Sequence, residues 1–290
     1  MHKKLNFDIC TFCNHSCSFC SNGDKRTIKN VTSLKNFEKT MDNVLKYVEV
    51  SEIGLSAKGE VFLNKDLLDI VKLCKQKYKI SYVYISTNGA LCRENKAQKL
   101  LEAGLDSIKF SINAINQNDY KLIHKKDDFD RVIENFKALL QLKKEKFHNV
   151  KLIISSVLNK ISQDELQSAF RKIFAQNFDQ IDHIWYYPLG FTAITKVETT
   201  KILRKCTIAF DEIYINSDCS LGLCCKDYFD EINFGSLLEN DFLKLYNSDR
   251  FNLIRSAHKS GNFDMGGLGA MQKMFEFSRI DDEKCFSYGS

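Results

Sequence analysis

Apolar positions over the first two hundred residues follow two alternating patterns. Short alternating or continuously apolar runs read as strands at Leu5–Cys10, Ser51–Ala57, Ser81–Thr87, Asp106–Asn113, Val150–Val157 and Ile181–Tyr187. Stretches at helical spacing lie between them. Ser33 starts one carrying Leu34, Phe37, Met41 and Val44, and Asn64 caps the next, with Leu67, Leu68, Val71 and Cys74 on one side. A third runs from Cys92 to Ala103 and stops at Gly104. Phe129, Val132, Ile133, Phe136, Leu139 and Leu140 mark a fourth, and Ser162 with Glu165 forms a capping box for a fifth. Six βα repeats predict an α/β chain with a parallel sheet, right-handed crossovers and helices outside, its ligands at the carboxyl ends of the strands.

After residue 200 the alternation stops. Asp211–Cys224 reads as a β-hairpin with Ser217-Asp218 at its turn, followed by helices at Glu239–Tyr246 and Ser248–His258. The expected division is therefore a parallel α/β domain, 1–200, and a small C-terminal α+β extension, 201–290.

Composition narrows the function classes. The chain has 290 residues, 44% hydrophobic and 27% charged, as in ordinary globular proteins. Its net charge of +5 comes from scattered lysines rather than a basic stripe, so no nucleic-acid partner is expected. No run approaches the ~20 apolar residues of a membrane span, and the N-terminal residues lack the apolar core of a signal peptide. A cytoplasmic, reducing location is expected. There, 11 cysteines, an odd number, point to metal or redox chemistry rather than disulfides.

The cysteines give that chemistry a place. Cys13, Cys17 and Cys20 form C-x3-C-x2-C on the loop after the first strand. Three thiolates so spaced can hold three irons of a [4Fe–4S] cube and leave the fourth iron open to a ligand. Cys10 adds a fourth thiol three residues upstream, so structural zinc is the alternative, although Cys10 also reads as a packed thiol ending the strand. His15 reads as exposed on this loop, with cluster tuning by hydrogen bonding as the alternative. Lys125-Lys126-Asp127-Asp128 reads as a solvated loop.

The triad and its intervening residues resemble the radical S-adenosylmethionine (SAM) enzymes, with Phe19 at the aromatic position before the last cysteine. The resemblance implies a partial (β/α)6 barrel in which the open iron chelates SAM. Gly59-Glu60 stands where the family carries a Gly-Gly-Glu-Pro type sequence that engages the SAM amino group, with Lys58 and Val61 replacing the outer residues. Thr87-Asn88-Gly89 and Ser111-Ile112-Asn113 also resemble family strand ends. Phe19, Gly59, Glu60, Ser111 and Asn113 are thereby expected to bind SAM, with Ser155 and Ser156 as further candidates. Trp185 and Tyr187 are expected to line a substrate cavity.

The late cysteines resemble the auxiliary-cluster domains called SPASM or, when shortened, Twitch. One auxiliary cluster on Cys206, Cys224 and Cys285 is expected, its fourth ligand Cys219, Cys225 or a non-cysteine group. The resemblance implies reductive SAM cleavage to a 5′-deoxyadenosyl radical, fed by a flavodoxin or ferredoxin, and hydrogen abstraction from a substrate. A small sugar or alcohol to be oxidised is the expected substrate, because a cysteine loop starting at residue 10 leaves no room for the leading peptide-recognition domain common in peptide maturases. A peptide-modifying maturase is the alternative, and a non-catalytic iron–sulfur or zinc regulator the reading from another class.

Overall fold

The structure, a computed structural model, describes residues 2–20, 29–55, 58–159, 161–189, 207–224, 227 and 230–261. Six parallel strands form its main sheet: β1 (His2–Phe7), β2 (Glu49–Gly54), β3 (Tyr82–Thr87), β4 (Ser107–Ser111), β5 (Lys151–Leu158) and β6 (His183–Pro188). Helices α1 (Leu34–Val44), α2 (Leu67–Lys72), α3 (Glu94–Glu102), α4 (Gln117–His124), α5 (Phe129–Glu145) and α6 (Gln163–Ile173) fill the connections. The expected α/β partial barrel is what the chain forms.

The local signals operate as expected at most helix ends. The Ser33 hydroxyl accepts the Asn36 N–H at the start of α1, and Ser162 and Glu165 close a reciprocal capping box on α6. Gly104 takes φ +96° after α3, a left-handed turn that any Cβ would strain. Asn64 differs from expectation, since Asp66 stands at the N-cap of α2. The buried Asn64 amide instead donates to Ile9 O and Thr32 O, both at 2.9 Å, and so ties the end of β1 to the start of α1. Helix α4 was not foreseen.

Alternation along the strands separates two faces. Leu5, Phe7, Ile53, Val83, Ile85, Ile108, Phe110, Leu152 and Ile154 are all fully buried in the apolar core. The opposite face is polar, and pairing aligns it in rows: Asn6–Gly54–Tyr84–Ser107, then Ser86–Lys109–Ile153–His183, then Ser111–Ser155–Trp185. Parallel strands buried on both faces run continuously apolar; period-two alternation marks a sheet whose second face lines a polar space. At its floor the Tyr84 hydroxyl donates to Asn6 Oδ1 at 3.1 Å, and Asn6 Nδ2 donates to Glu212 Oε2 at 2.6 Å. Gly54 lets that ring lie flat across β2, because a Cβ there would stand 2.5 Å from it.

The C-terminal hairpin does not stand apart from this sheet. β7 (Glu212–Ile215), entered from the short helix α7 (Ile208–Asp211), pairs in parallel with β1. β8 (Ser220–Gly222) and β9 (Asn233–Ser236) continue antiparallel, giving the order β6-β5-β4-β3-β2-β1-β7-β8-β9. Helices α8 (Phe242–Tyr246) and α9 (Asp249–Ser260) come next along the chain. Asn43 of α1 donates to Leu237 O and Asn240 O and accepts the Phe242 N–H. Among the described residues no helix is long and apolar enough to cross a membrane.

Lys58, just beyond β2, is buried and forms an ion pair with Asp230. Its ammonium also donates to Asn216 Oδ1 at 3.1 Å and lies 5.0 Å from the Tyr214 ring centre. Removing one partner of a buried pair leaves the other charge uncompensated. Lys58→Ala is expected to cost about 3 kcal/mol of stability, measured by urea unfolding of the metal-free protein at neutral pH.

Candidate active site

The loop after β1 runs along the carboxyl ends of the strands, where a parallel sheet places its ligands. Two contacts hold its backbone at the ends. Glu60 N–H donates to Phe12 O at 2.7 Å, and Ser18 N–H donates to Ile123 O at 2.8 Å in the last turn of α4. Gly59 lies so close beneath the loop that a Cβ would stand 2.4 Å from Phe12 O and 2.5 Å from Cys10 O. Both are backbone atoms that cannot swing aside, so only glycine fits.

Cys13 and Cys20 are exposed and Cys17 is half-buried. Burial raises the thiol pKa of Cys13 to about 11 and that of Cys17 well above the ordinary value, and negative charge on the other cysteines raises Cys17 further. The Cys13 and Cys17 thiols are thus held toward their protonated form. Such thiols release protons when they take up a metal. Two donors already face Cys13 Sγ, the His15 N–H at 3.5 Å and the Asn88 amide at 3.8 Å. Cys10 stands apart as expected: it is buried, its thiol points at Phe12 O, and burial carries its pKa to about 12.

Glu60 is fully buried, and its carboxylate is already occupied. Oε1 accepts from the Thr87 hydroxyl at 2.7 Å and the Phe62 N–H at 3.1 Å, and Oε2 accepts from the Asn88 N–H at 2.8 Å. Burial raises its pKa, and the three donors offset part of that. Asn113 is likewise engaged on both ends of its amide. Oδ1 accepts the Val157 N–H at 2.7 Å, and Nδ2 faces His124 Nε2 at 3.1 Å. Both residues organise the strand ends through protein partners. Ser111 is half-buried with its hydroxyl 3.4 Å from that of Ser155, while the Ser156 hydroxyl donates to Ile112 O. Phe19 is half-buried against the core.

Trp185 and Tyr187 project from β6 on the polar face, in the same alternation as Lys109 and Ser111. The Lys109 ammonium lies 5.3 Å from the Trp185 ring centre, within range of a cation–π contact. His183 and Trp185 stack at 6.3 Å with 19° between their planes.

Sequence reading missed a second set of residues. His15, expected to be exposed, is buried at 3%. The run expected as a solvated loop ends in Asp128, buried at 8%, whose Oδ2 lies 3.3 Å from His15 Nε2. His124, at the end of the unforeseen α4, is also buried; burial pushes its pKa down to about 3 and lowers that of His15, so both rings are neutral at pH 7. A Tyr-x3-His spacing at Tyr120 and His124 was the available signal, since i and i+4 share one helix face.

Of the late cysteines, Cys206, Cys225 and Cys285 lie outside the described residues. Cys224 is half-buried beyond the end of β8. Cys219 sits at the other end of that strand with φ +64°, fully buried beside Thr40 of α1, its pKa raised to about 11 by burial. That places Cys219 in the apolar core.

Adding one methyl at Gly59 tests the close contact under the cysteine loop. Gly59→Ala is expected to destabilise the protein by roughly 2 kcal/mol through overpacking. Iron bound after anaerobic reconstitution is expected to fall in parallel, read by thermal unfolding and iron analysis.

Known proteins resemble this chain in sequence and in fold. Curated relatives include a GTP 3′,8-cyclase from Petrotoga mobilis, 27% identical over 195 residues, covering 66% of this chain and 57% of that protein. A probable GTP 3′,8-cyclase from Saccharolobus islandicus is 29% identical over 188 residues, covering 64% and 58%. The chain thus spans a little under three-fifths of these relatives' length. Among solved structures, Streptococcus suis SuiB bound to its precursor peptide SuiA superposes with TM-score 0.67 at 17% identity, covering 88% of this chain and 67% of that one. BtrN in complex with AdoMet and 2-DOIA superposes with TM-score 0.57 at 14% identity, covering 90% and 88%. These likenesses show a shared fold. The iron-sulfur cluster-binding domain SPASM matches residues 206–266. The radical SAM superfamily matches residues 8–173, and with its triad at the carboxyl end of a six-stranded parallel sheet the chain belongs to that superfamily.

Proposed function

We propose that the chain is a cytoplasmic radical SAM enzyme acting on a small polar molecule, with Cys13, Cys17 and Cys20 holding the catalytic [4Fe–4S] cluster. The observation that carries the cluster assignment is the trio of thiols at the mouth of the barrel. Two features fit the group: two of the thiols are exposed, and the Cys10 thiol is bonded to Phe12 O, so three ligands remain rather than four. That set leaves one iron open, as SAM chelation requires and a closed zinc site does not. When bound, such a cluster supplies one electron to SAM, giving methionine and a 5′-deoxyadenosyl radical, and an auxiliary cluster can accept the electron left after hydrogen abstraction.

The residues of the chain set the geometry of that chemistry. Gly59 lets the loop settle onto β2, and the Glu60 carboxylate fastens the ends of β2 and β3 together. Phe19, Gly59 and Ser111 border the space for SAM. Glu60 and Asn113 are proposed SAM contacts as well, and they also hold the strand ends. The family requires a reductant, and a flavodoxin or ferredoxin is the donor we propose. Cys206, Cys224 and Cys285, with Cys219 or Cys225 as the fourth, are the proposed auxiliary ligands, in a domain of residues 201–290 that follows a barrel of residues 1–200.

The polar face of the sheet favours a small polar substrate. Lys109, Ser111, Ser155, Trp185 and Tyr187 share that face near the mouth, offering a cation, hydroxyls and aromatic planes. Positioned polar groups of this kind hold a substrate hydrogen in line and keep water from the radical. Oxidation of an alcohol carbon fits this lining, as does a nucleotide of the kind named for the cyclase relatives. The peptide-bound neighbour keeps a peptide substrate as the second reading.

Anaerobically reconstituted protein given dithionite and SAM is expected to form 5′-deoxyadenosine, and Cys13→Ala to lose that activity by at least ~100-fold, since the chemistry depends on the cluster. No product from wild type, measured chromatographically, would sink the assignment. Stimulation by GTP, by an aminocyclitol or by a peptide sorts the substrate classes. The triple variant lacking Cys13, Cys17 and Cys20 is expected to retain iron and sulfide for one cluster on the C-terminal cysteines, read by iron and sulfide analysis.

A further inference from the structure

Among the described residues, His15, Cys17 and His124 form a cluster whose ligand atoms all lie within 4.8 Å of one another. The proton positions in this cluster are set by its neighbours. A backbone N–H only donates, so the Val157 N–H at 2.7 Å fixes Oδ1 of Asn113 as the acceptor and turns Nδ2 toward His124 Nε2 at 3.1 Å. An amide nitrogen also only donates. His124 Nε2 therefore accepts, and the neutral ring carries its proton on Nδ1.

That Nδ1 lies 3.5 Å from Cys17 Sγ and 3.3 Å from His15 Nδ1. On the far side, His15 Nε2 lies 3.3 Å from Asp128 Oδ2, a carboxylate that accepts. His15 thus carries its proton on Nε2, and its Nδ1 is a second acceptor for the His124 N–H. Tyr120 stacks flat on His124, with ring centres 4.0 Å apart and 6° between planes, which fixes the ring's direction. Arg131 holds Asp128 at 3.3 Å.

We propose that His124 is a positioning residue that sets the reduction potential of the triad cluster, its Nδ1–H aimed by Asn113 and Tyr120 at the sulfur of Cys17 and shared with His15. This inference rests on Cys17 being a cluster ligand. A donor at a cluster sulfur stabilises the electron density added on reduction and raises the potential. The arrangement also gives Asn113 a role, because its amide selects the tautomer that points the proton at the sulfur.

Two experiments test it. Long-range proton–nitrogen NMR on metal-free protein labelled at histidine nitrogen is expected to show His124 protonated at Nδ1; protonation at Nε2 overturns the inference. In reconstituted enzyme, the midpoint potential is followed by EPR, with the triad signal identified by its loss in Cys17→Ser. His124→Phe keeps the stacked ring and deletes the donor, and is expected to lower the potential at unchanged iron content. His124→Asn places an amide near the Nδ1 position and is expected to return the potential toward wild type. Asn113→Leu, which releases the tautomer, is expected to lower it as well, and decides the matter if His124→Phe does not fold. Equal potentials in wild type and these variants overturn the inference alone. Absence of any triad cluster in wild type overturns the functional reading beneath it.

Discussion

The mouth of the barrel depends on one close approach, that of Gly59 and Glu60 to the backbone of residues 10–12. Three strands end within reach of that contact. The Glu60 N–H holds the cysteine loop that leaves β1, and the Glu60 carboxylate gathers Thr87 and Asn88 at the end of β3. The Asn88 side chain then returns to Asn14 at 2.8 Å and faces Cys13. A buried carboxylate is costly unless its lone pairs are used, and here three donors use them. One glycine and one acid therefore position a loop that has little regular structure of its own.

The second constraint is the polarity of the sheet's free face. Helices cover one side with a continuous apolar layer, while the other carries lysines, hydroxyls and aromatic rings in register. The hydrogen bonds from Tyr84 to Asn6 and from Asn6 to Glu212 close the floor of this space and cross from β3 to β7. Chemistry at the mouth and packing below it thus use alternate residues of the same strands.

Much of this was legible in the sequence. Period-two runs separated by helical spacing gave the six strands within a few residues, and the capping box of Ser162 and Glu165 stands where it was expected. The cysteine triad was plain because its spacing is local. The features that escaped were decided by distant partners. Glu60 and Asn113 have the residue types of ligand contacts, and only the fold shows Thr87, Asn88, Val157 and His124 taking their hydrogen bonds. His15 is buried by residues more than a hundred positions away, which no local pattern records. Helix α4 is eight residues long with buried positions at Tyr120, Ile123 and His124 alone, too short for periodicity to separate it from the charged run after it.

The parallel pairing of β7 with β1 has a consequence for the integrity of the barrel. Without β7, the strand that leads into the cysteine loop would be an edge strand, with a row of backbone N–H and C=O groups open to any passing strand. The C-terminal hairpin covers that row, and its own outer strand, β9, is only four residues long. The segment matched to an iron–sulfur domain thus also guards β1 against wrong pairing with another chain.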